Sequence, residues 1–290
     1  MLIIMGNKLS YFKFLKKKRN KPNYGNYIIK VNDLQIDRIQ QMHHILKVCC
    51  NNKNFFSPIS NDLSRGIKVL DVGAGPGTWI FDMSSDYRKS EFTGIEIQSF
   101  MLPTIHPLNT SFKNVDILKG LPFSPNSFDF IHMRCMVLCF TEQQYEQIVR
   151  ELVDLLKPNG YLELSEPELC SRNMGPICER FSIGVRDILS SKSMDPFVNE
   201  KLGTLLNDFG LQEINQEEVE LPLSELDGNI GALYGETTFN GLIGLKDELA
   251  NQMNLTSNEI DSLINDYREE IKSRRMYNKY TRVYGRKIIG

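Results

Sequence analysis

Two spacings of apolar residues alternate along most of the chain. Short apolar runs predict buried strands, and segments in which apolar residues recur every three or four positions predict helices. Alternating strands and helices of this length build a parallel sheet with helices on both faces. We therefore expect an α/β protein, a three-layer αβα sandwich around a doubly wound sheet. The strands predicted for its first part are residues 69–72, 91–97, 111–116, 128–132 and 161–166.

Helical spacing also marks segments on either side of this core. A helix is predicted from about residue 31, with Asp33 as its N-cap. Capping sequences at Thr141 and Thr256 begin two later helices. Residues 227–245 hold five glycines, which we interpret as too many for a rigid element and assign to a substrate-side lid or insertion. Helices at about 176–191 and 196–209, a strand ending near 222 and an alternating strand at 280–287 complete the pattern.

The most informative stretch follows the first predicted strand. Asp71 ends the apolar run, and Gly73, Gly75 and Gly77 follow before helical spacing resumes at Trp79. Glycine adopts positive φ and carries no Cβ, so a ligand can approach the backbone closely. The first N–H groups of the following helix would point at whatever binds there. We therefore predict a ligand site between this strand and this helix.

The spacing leaves two classes of ligand open, a dinucleotide and another cofactor that contains a ribose. A dinucleotide-binding loop reads G-x-G-x-x-G/A, and here Thr78 occupies the third glycine position. The order found is D-x-G-x-G-x-G. Glu96 ends the second predicted strand, where a carboxylate can accept hydrogen bonds from ribose hydroxyls in either class. Asp116 ends the third strand, where it could accept from an adenine amino group.

Composition bears on the size of the core, the binding partners and the cellular compartment of the protein. Its 290 residues with 41% hydrophobic content suffice for one sizeable core, and a net charge of −2 gives no general attraction to nucleic acid. No apolar run approaches the roughly 18 residues that a transmembrane helix needs. The six cysteines form no zinc-binding spacing, so we expect buried thiols, no metal and a cytoplasmic protein.

Residues 1–23 differ in composition from the rest of the chain. They hold a basic run between Lys13 and Lys21, which predicts a disordered, solvated tail. The order Met5-Gly6-Asn7-Lys8-Leu9-Ser10 fits the N-myristoylation pattern if translation starts at Met5. A myristoyl chain on Gly6 together with the basic run would give peripheral membrane contact. The basic run alone would suit nuclear import.

Four motifs resemble the class I S-adenosylmethionine-dependent methyltransferases. They are VLDVGAGPGTW, LPFSPNSFDFIHMR, LKPNGYLELSEPE and RVYGRK. With the segment 37–40 and the pair His43-His44, they are most similar to the fungal LaeA-like methyltransferase-domain proteins, over roughly 27–290. The resemblance implies a mostly parallel seven-stranded sheet with an antiparallel last strand, an N-terminal helix and a C-terminal helical insertion.

The same resemblance implies a domain organisation and a cofactor. A methyltransferase domain would span 24–290, with a cofactor-binding core at about 65–170 and substrate-side helices and a lid at about 171–255. S-adenosylmethionine would be the cofactor. Its predicted binding residues are Asp71, Gly73, Ala74, Gly75, Gly77, Thr78, Trp79, Glu96, Ile97, Asp116, Ile117, Met133 and Arg134.

The reaction implied is transfer of the sulfonium methyl group to an O, N or S nucleophile of a small molecule or a protein. Candidate general bases are His132, His44 and Glu166. No Asn/Asp-Pro-Pro-aromatic sequence follows the fourth strand, which removes that signature of methylation at base or amide nitrogens. Roles in this family range from small-molecule methylation to regulation of secondary metabolism. One alternative is therefore a cofactor-binding regulatory subunit of a transcription-related complex with little turnover, and an NAD-dependent enzyme is a more distant one.

Overall fold

A seven-stranded sheet forms the centre of the molecule. The strands are β1 (Lys68–Val72), β2 (Glu91–Glu96), β3 (Thr110–Asn114), β4 (Phe128–Arg134), β5 (Leu156–Pro167), β6 (Gln212–Pro222) and β7 (Tyr277–Arg286). The computed structural model describes residues 27–29 and 32–288, and its strands lie in the order β3-β2-β1-β4-β5-β7-β6. Strands β1 to β5 pair in parallel, and β7 is antiparallel to both β5 and β6. The predicted sheet, with its antiparallel last strand, is confirmed.

Helices cover both faces of the sheet and one of its edges. They are α1 (Asp33–Cys49), α2 (Ser60–Arg65), α3 (Thr78–Asp86), α4 (Glu142–Leu155), α5 (Pro176–Ser191), α6 (Val198–Asp208), α7 (Gly228–Gly244), α8 (Lys246–Gln252) and α9 (Ser257–Ser273). Helices α2 and α3 pack on one face, and α4 and α6 pack on the other. Helices α1, α5, α7, α8 and α9 share a third hydrophobic cluster with residues of β6 and β7.

Strand β1 shows how the sheet joins its two covering layers. Val69 belongs to the cluster with α2 and α3, whereas the next residue, Leu70, belongs to the cluster with α4 and α6. Successive side chains of a strand point to opposite faces, and a strand buried on both faces reads as a continuous apolar run. The run before Asp71 is therefore the sequence signature of a central strand.

Side-chain caps fix where three helices begin. Thr141 and Gln144 form the predicted capping box of α4, and Thr256 forms the equivalent box of α9. The predicted cap of α1 is wrong by one residue. Asn32 is the N-cap and accepts a hydrogen bond from the Gln35 N–H at 3.0 Å, which places Asp33 in the first helical turn.

The glycine-rich segment 227–245 is a helix, which corrects the prediction that it lacks rigid structure. Three glycines of α7, Gly231, Gly235 and Gly244, lie where other parts of the chain approach its backbone closely. A Cβ on Gly235 would lie 2.7 Å from the carbonyl oxygen of Leu223, and one on Gly244 would lie 2.6 Å from the Ile29 side chain. Close packing against these neighbours offsets the low helix propensity of glycine.

The predictions for the N-terminal tail lie outside the described residues. They concern the basic run Lys13–Lys21 and the myristoylation pattern at Gly6, and they stay predictions. Among the helices of residues 27–29 and 32–288, none is long and apolar enough to cross a membrane.

Candidate active site

A cavity of about 330 Å³ opens at the carboxyl ends of the parallel strands. The loop after β1 and the ends of β2 and β4 form its floor, and helices α1, α5 and α7 contribute its other walls. Ligands of open parallel sheets bind at this edge, where the strand order reverses beside β1. The cavity therefore lies at the edge of the sheet that the sequence predicts.

The glycine loop takes the backbone shape that its sequence requires. Gly73, Gly75 and Gly77 have φ values of 71°, 53° and 80°, a region that glycine enters without the steric cost of a Cβ. The N–H groups of Gly73 and Ala74 both donate to the carbonyl oxygen of Ile95 at 3.0 Å, which ties the loop to β2. The loop presents backbone, without bulky side chains, to the cavity.

Glu96 stands at the end of β2 and lines the cavity. Its Oε2 accepts the Gly75 N–H at 3.0 Å and its Oε1 accepts the Gln98 N–H at 2.9 Å. Burial raises the pKa of Glu96, while these two donors act in the opposite direction. An ionised carboxylate offers about four lone-pair sites, so acceptor capacity is left for two ligand hydroxyls. These free acceptor positions suit the two hydroxyls of a ribose, which donate.

Asp116 borders the same part of the cavity. Its Oδ1 accepts the Leu118 N–H at 3.2 Å, which caps the short 3-10 helix Ile117–Lys119. Its Oδ2 pairs with Lys119 Nζ at 2.9 Å. Asp116 is thus held by its own turn and can still offer a lone pair to a ligand.

Most of the predicted cofactor residues meet at this cavity, and two do not line it. Gly77 is the N-cap of α3, and a Cβ there would lie 2.8 Å from the Phe112 ring, so close packing explains this glycine. Met133 is completely buried in the core under α4. The lining residues among the predicted set are Asp71, Gly73, Ala74, Gly75, Thr78, Trp79, Glu96, Ile97, Asp116, Ile117 and Arg134.

The candidate base His132 is a buried structural side chain. Its ring stacks on Trp79 with centroids 4.1 Å apart, and its Nδ1–H donates to Asp71 Oδ1 at 2.8 Å. The Trp79 Nε1–H in turn donates to the carbonyl oxygen of Asn54 at 2.7 Å. His132 is 2% exposed and does not line the cavity, so the structure contradicts its prediction as a base.

The other two candidate bases are also misplaced for proton transfer. His44 is exposed on α1 and does not line the cavity. Glu166 is completely buried, and it accepts the N–H groups of Met136 and Val137 and the Tyr145 hydroxyl. Burial raises the pKa of Glu166 to about 7, although all three donors favour its ionised form. Its role is to hold the chain after β4.

Tyr27 and His43 line the cavity but stand outside the predicted set of cofactor-binding residues. The Tyr27 hydroxyl accepts from Arg38 Nη2 at 2.9 Å, and burial raises the pKa of Tyr27 to about 12. His43 lies beside Arg134, with Nδ1 and Nη2 2.9 Å apart. The sequence indicates this wall of the cavity through helical spacing, because Arg38, Met42 and Leu46 of α1 recur on one face that lines it.

The part of the cavity away from the glycine loop is largely apolar. Burial raises the pKa of Cys135 to about 12 and that of Cys139 well above its usual value, so both thiols are neutral. Cys135 follows β4 directly and holds φ at 57°, an unusual conformation for a residue other than glycine. Other side chains of this region are Met42, Leu46, Cys178, Phe181, Tyr234, Leu242, Leu245 and Tyr267.

Comparison with known proteins indicates which ligand this cavity holds. Residues 69–160 match a family described as a methyltransferase domain. The N-methyltransferase sirN of Leptosphaeria maculans is 26% identical over 274 residues, which cover 91% of this chain and 95% of that protein. The N-methyltransferase gliN of Aspergillus fumigatus is 24% identical over 279 residues, 91% of this chain and 97% of that one.

Solved structures share the fold at low sequence identity. The phosphoethanolamine N-methyltransferase 2 of Haemonchus contortus, in complex with phosphomonomethylethanolamine and S-adenosylhomocysteine, superposes with a TM-score of 0.50 at 15% identity, covering 86% of this chain and 58% of that one. The YcgJ protein of Bacillus subtilis gives a TM-score of 0.50 at 17% identity, covering 86% of this chain and all of that one (100%). The matched domain, together with the glycine loop, Glu96 and the sheet order, identifies the chain as an S-adenosylmethionine-dependent methyltransferase of class I.

Proposed function

We propose that the enzyme methylates an amine nitrogen of a small, largely apolar molecule. Two relatives that span most of the chain are named N-methyltransferases of fungi. The helices at about 171–255 would form the substrate side of the cavity, and the loop after β1 would hold the cofactor. The observation that carries the proposal is the apolar character of the cavity beyond the glycine loop.

The walls of this substrate region favour a small molecule over a protein side chain. Leu46 of α1, Phe181 of α5 and Leu242 of α7 line it, and all three are buried in one hydrophobic cluster. Helices α1 and α7 pack on each other, as do α5 and α9 and α7 and α9. A roof of mutually packed helices encloses a ligand and excludes water, whereas a protein substrate would need a groove that admits its backbone.

The state of the ionisable groups favours a nucleophile that needs no deprotonation before it reacts. Among the described residues that line the cavity, Glu168 pairs with Arg172 and Asp116 pairs with Lys119. Both ring nitrogens of His43 are engaged. A neutral amine carries the lone pair that attack requires, and the methylated product can lose its proton to solvent after it leaves the cavity.

The cofactor and the protein chain contribute different parts of the proposed reaction. S-adenosylmethionine, when bound, supplies an electrophilic methyl group. The chain orients the two reactants and keeps water out, and proximity and orientation can supply roughly 7–11 kcal/mol of the barrier. The glycine loop and Glu96 would fix the cofactor, and the apolar side chains of α1, α5 and α7 would fix the acceptor.

Incubation with a methyl-labelled cofactor tests the proposal. The purified enzyme would be given labelled S-adenosylmethionine together with a small-molecule extract or, separately, with a desalted protein lysate. We expect label in low-molecular-weight products that contain a basic nitrogen. Label confined to the protein fraction would reject a small-molecule acceptor.

The narrower likeness to the LaeA-like proteins stays a prediction, as does the regulatory role that it would bring. The same incubation separates this role from catalysis. A regulatory subunit would bind S-adenosylhomocysteine and a protein partner, and it would label neither fraction. Partner capture from the lysate with cofactor present provides the complementary measurement.

A further inference from the structure

His43 lines the cavity and connects three elements of the fold. Its Nε2 lies 3.0 Å from Asp82 Oδ2 on α3, and its Nδ1 lies 2.9 Å from Arg134 Nη2 at the end of β4. Lys47, one turn further along α1, contacts the same Asp82 oxygen at 2.5 Å. Asp82, His43 and Arg134 thus form a continuous row that ends at the cavity, which Arg134 lines.

The hydrogen-bond chemistry fixes the protonation of the imidazole. Arginine has only donors and keeps its proton in proteins, so the Nδ1 of His43 must accept with its bare lone pair. The ring proton then lies on Nε2, where the Asp82 carboxylate accepts it. A carboxylate that accepts from one ring nitrogen in this way selects the tautomer of the histidine.

The surroundings of His43 keep it neutral. The side chain is 5% exposed, and burial followed by the nearby Arg134 charge lowers the pKa of His43 to about 4. Asp82 on α3 opposes this shift, while Lys47 on α1 adds to it. Burial would raise the pKa of Asp82, but hydrogen bonds from Lys47 and His43 outweigh it and leave that pKa lowered. The acceptor face of the imidazole is therefore present at neutral pH.

We propose that His43 is a positioning residue, which holds the Arg134 guanidinium at the cavity wall so that it can bind a carboxylate. Asp82 sets the tautomer that makes this possible. The proposal rests on the assignment of S-adenosylmethionine to this cavity, since the carboxylate at its amino-acid end is the anion that Arg134 would receive. One N–H of Arg134 is used by His43, and the guanidinium has four more donors.

A purely structural histidine predicts different behaviour. If His43 only joined α1 to α3, its removal would lower stability and leave the affinity for S-adenosylhomocysteine unchanged, because Lys47 still reaches Asp82. If His43 acts through Arg134, its removal lowers that affinity only while Arg134 is present. The two roles therefore differ in a double-mutant cycle.

Calorimetric titration with S-adenosylhomocysteine tests the proposal. We expect His43→Leu to weaken binding about tenfold or more, the loss typical of one hydrogen bond to a charged group. His43→Asn should lose less, because its carbonyl oxygen can still accept from Arg134. His44→Leu, the exposed neighbour on the same helix, is the matched control and should bind as the wild type does.

The cycle is completed in a background without the guanidinium. In Arg134→Ala, adding His43→Leu should cause no further loss of affinity. Equal affinity of His43→Leu and wild type, or losses that multiply in the double variant, would overturn the proposal. Circular dichroism of each variant confirms that it is folded before titration.

A second measurement needs neither cofactor nor turnover. Nitrogen NMR of the histidine rings in the ligand-free protein should show His43 with a protonated Nε2 and an unprotonated Nδ1 at neutral pH. An imidazolium or the opposite tautomer would overturn the proposal. Failure of the wild type to bind S-adenosylhomocysteine would reject the cofactor assignment, and this NMR result would still report on the row itself.

Discussion

Glu96 contacts the glycine loop and also lines the cavity. It accepts hydrogen bonds from the N–H groups of Gly75 and Gln98, and its remaining lone pairs border the cavity. The same side chain therefore supports the glycine loop and offers the acceptors that a ribose needs. We expect that replacing it would remove the proposed ribose contacts and loosen the glycine loop.

Glu96→Ala is expected to weaken S-adenosylhomocysteine binding by about a hundredfold or more. A hydrogen bond to a charged group contributes roughly 1.5–3 kcal/mol, and two such bonds to the ligand are lost. Calorimetry on the folded variant measures the effect. Glu91→Gln, an exposed position at the start of β2, is the control and should leave affinity unchanged. Unchanged affinity in Glu96→Ala would exclude the ribose contact.

Glu166 gives a pH dependence with a definite sign. Its folded pKa of about 7 lies above the ordinary value of 4.5, so the folded protein binds the proton more tightly than the unfolded chain does. The resulting stabilisation is complete below pH 4.5 and is lost as the pH rises through 7. Within this window the free energy of unfolding should fall by about 1.4 kcal/mol per pH unit from this group alone.

Urea denaturation across the pH range isolates that contribution. Glu166→Gln cannot titrate, so the difference in unfolding free energy between wild type and variant should decrease from pH 4.5 to pH 7. The difference should be flat if Glu166 keeps an ordinary pKa. A difference that grows with pH would mean that the three hydrogen-bond donors outweigh burial.

Strand-end positions could be predicted at the residue scale, but side-chain partners could not. Glu96 and Asp116 were predicted because each was expected to end a strand beside the glycine loop; Glu96 does end β2, whereas Asp116 lies two residues after β3. His132 and Glu166 were also expected to end strands; they lie inside β4 and β5, and distant residues determine their environment. Trp79 covers the ring of His132, and Tyr145 with the backbone after β4 encloses Glu166. Local spacing carries no information about such contacts.

Helix α7 shows the same limit at the scale of an element. Glycine is a poor helix former, and that penalty predicted an irregular segment. Its neighbours explain the helix, because Gly235 packs against the Leu223 carbonyl and Gly244 against Ile29. Tertiary packing outweighs helix propensity in α7, and no local sequence pattern indicates which glycines make close contacts.

Two alanine substitutions in α7 should have opposite effects on stability. Gly235→Ala places a Cβ 2.7 Å from a backbone oxygen and should cost about 1–3 kcal/mol through overpacking. Gly241→Ala meets nothing closer than the Arg38 side chain at 4.0 Å and should gain roughly 0.5–1 kcal/mol from helix propensity. Chemical denaturation of both variants checks the signs. Equal effects would contradict the close-packing explanation.

At the scale of the whole molecule, the alternation of strands and helices was enough to predict the parallel part of the sheet. Right-handed crossovers leave few topologies for five such units. The edge formed by β6 and β7 is different, because β7 inserts between β5 and β6 and pairs antiparallel with both. An alternating strand pattern does not reveal its partners, so this part of the prediction depended on the family resemblance.

Titration of the wild-type protein with S-adenosylhomocysteine and, separately, with NAD distinguishes a methyltransferase cofactor site from a dinucleotide site. Both ligands contain a ribose and an adenine, so Glu96 and Asp116 alone do not discriminate between them. The loop with glycines at 73, 75 and 77 does, because its third glycine position for a dinucleotide is Thr78. We expect saturable binding of S-adenosylhomocysteine and none of NAD. Saturable binding of NAD without binding of S-adenosylhomocysteine would contradict it.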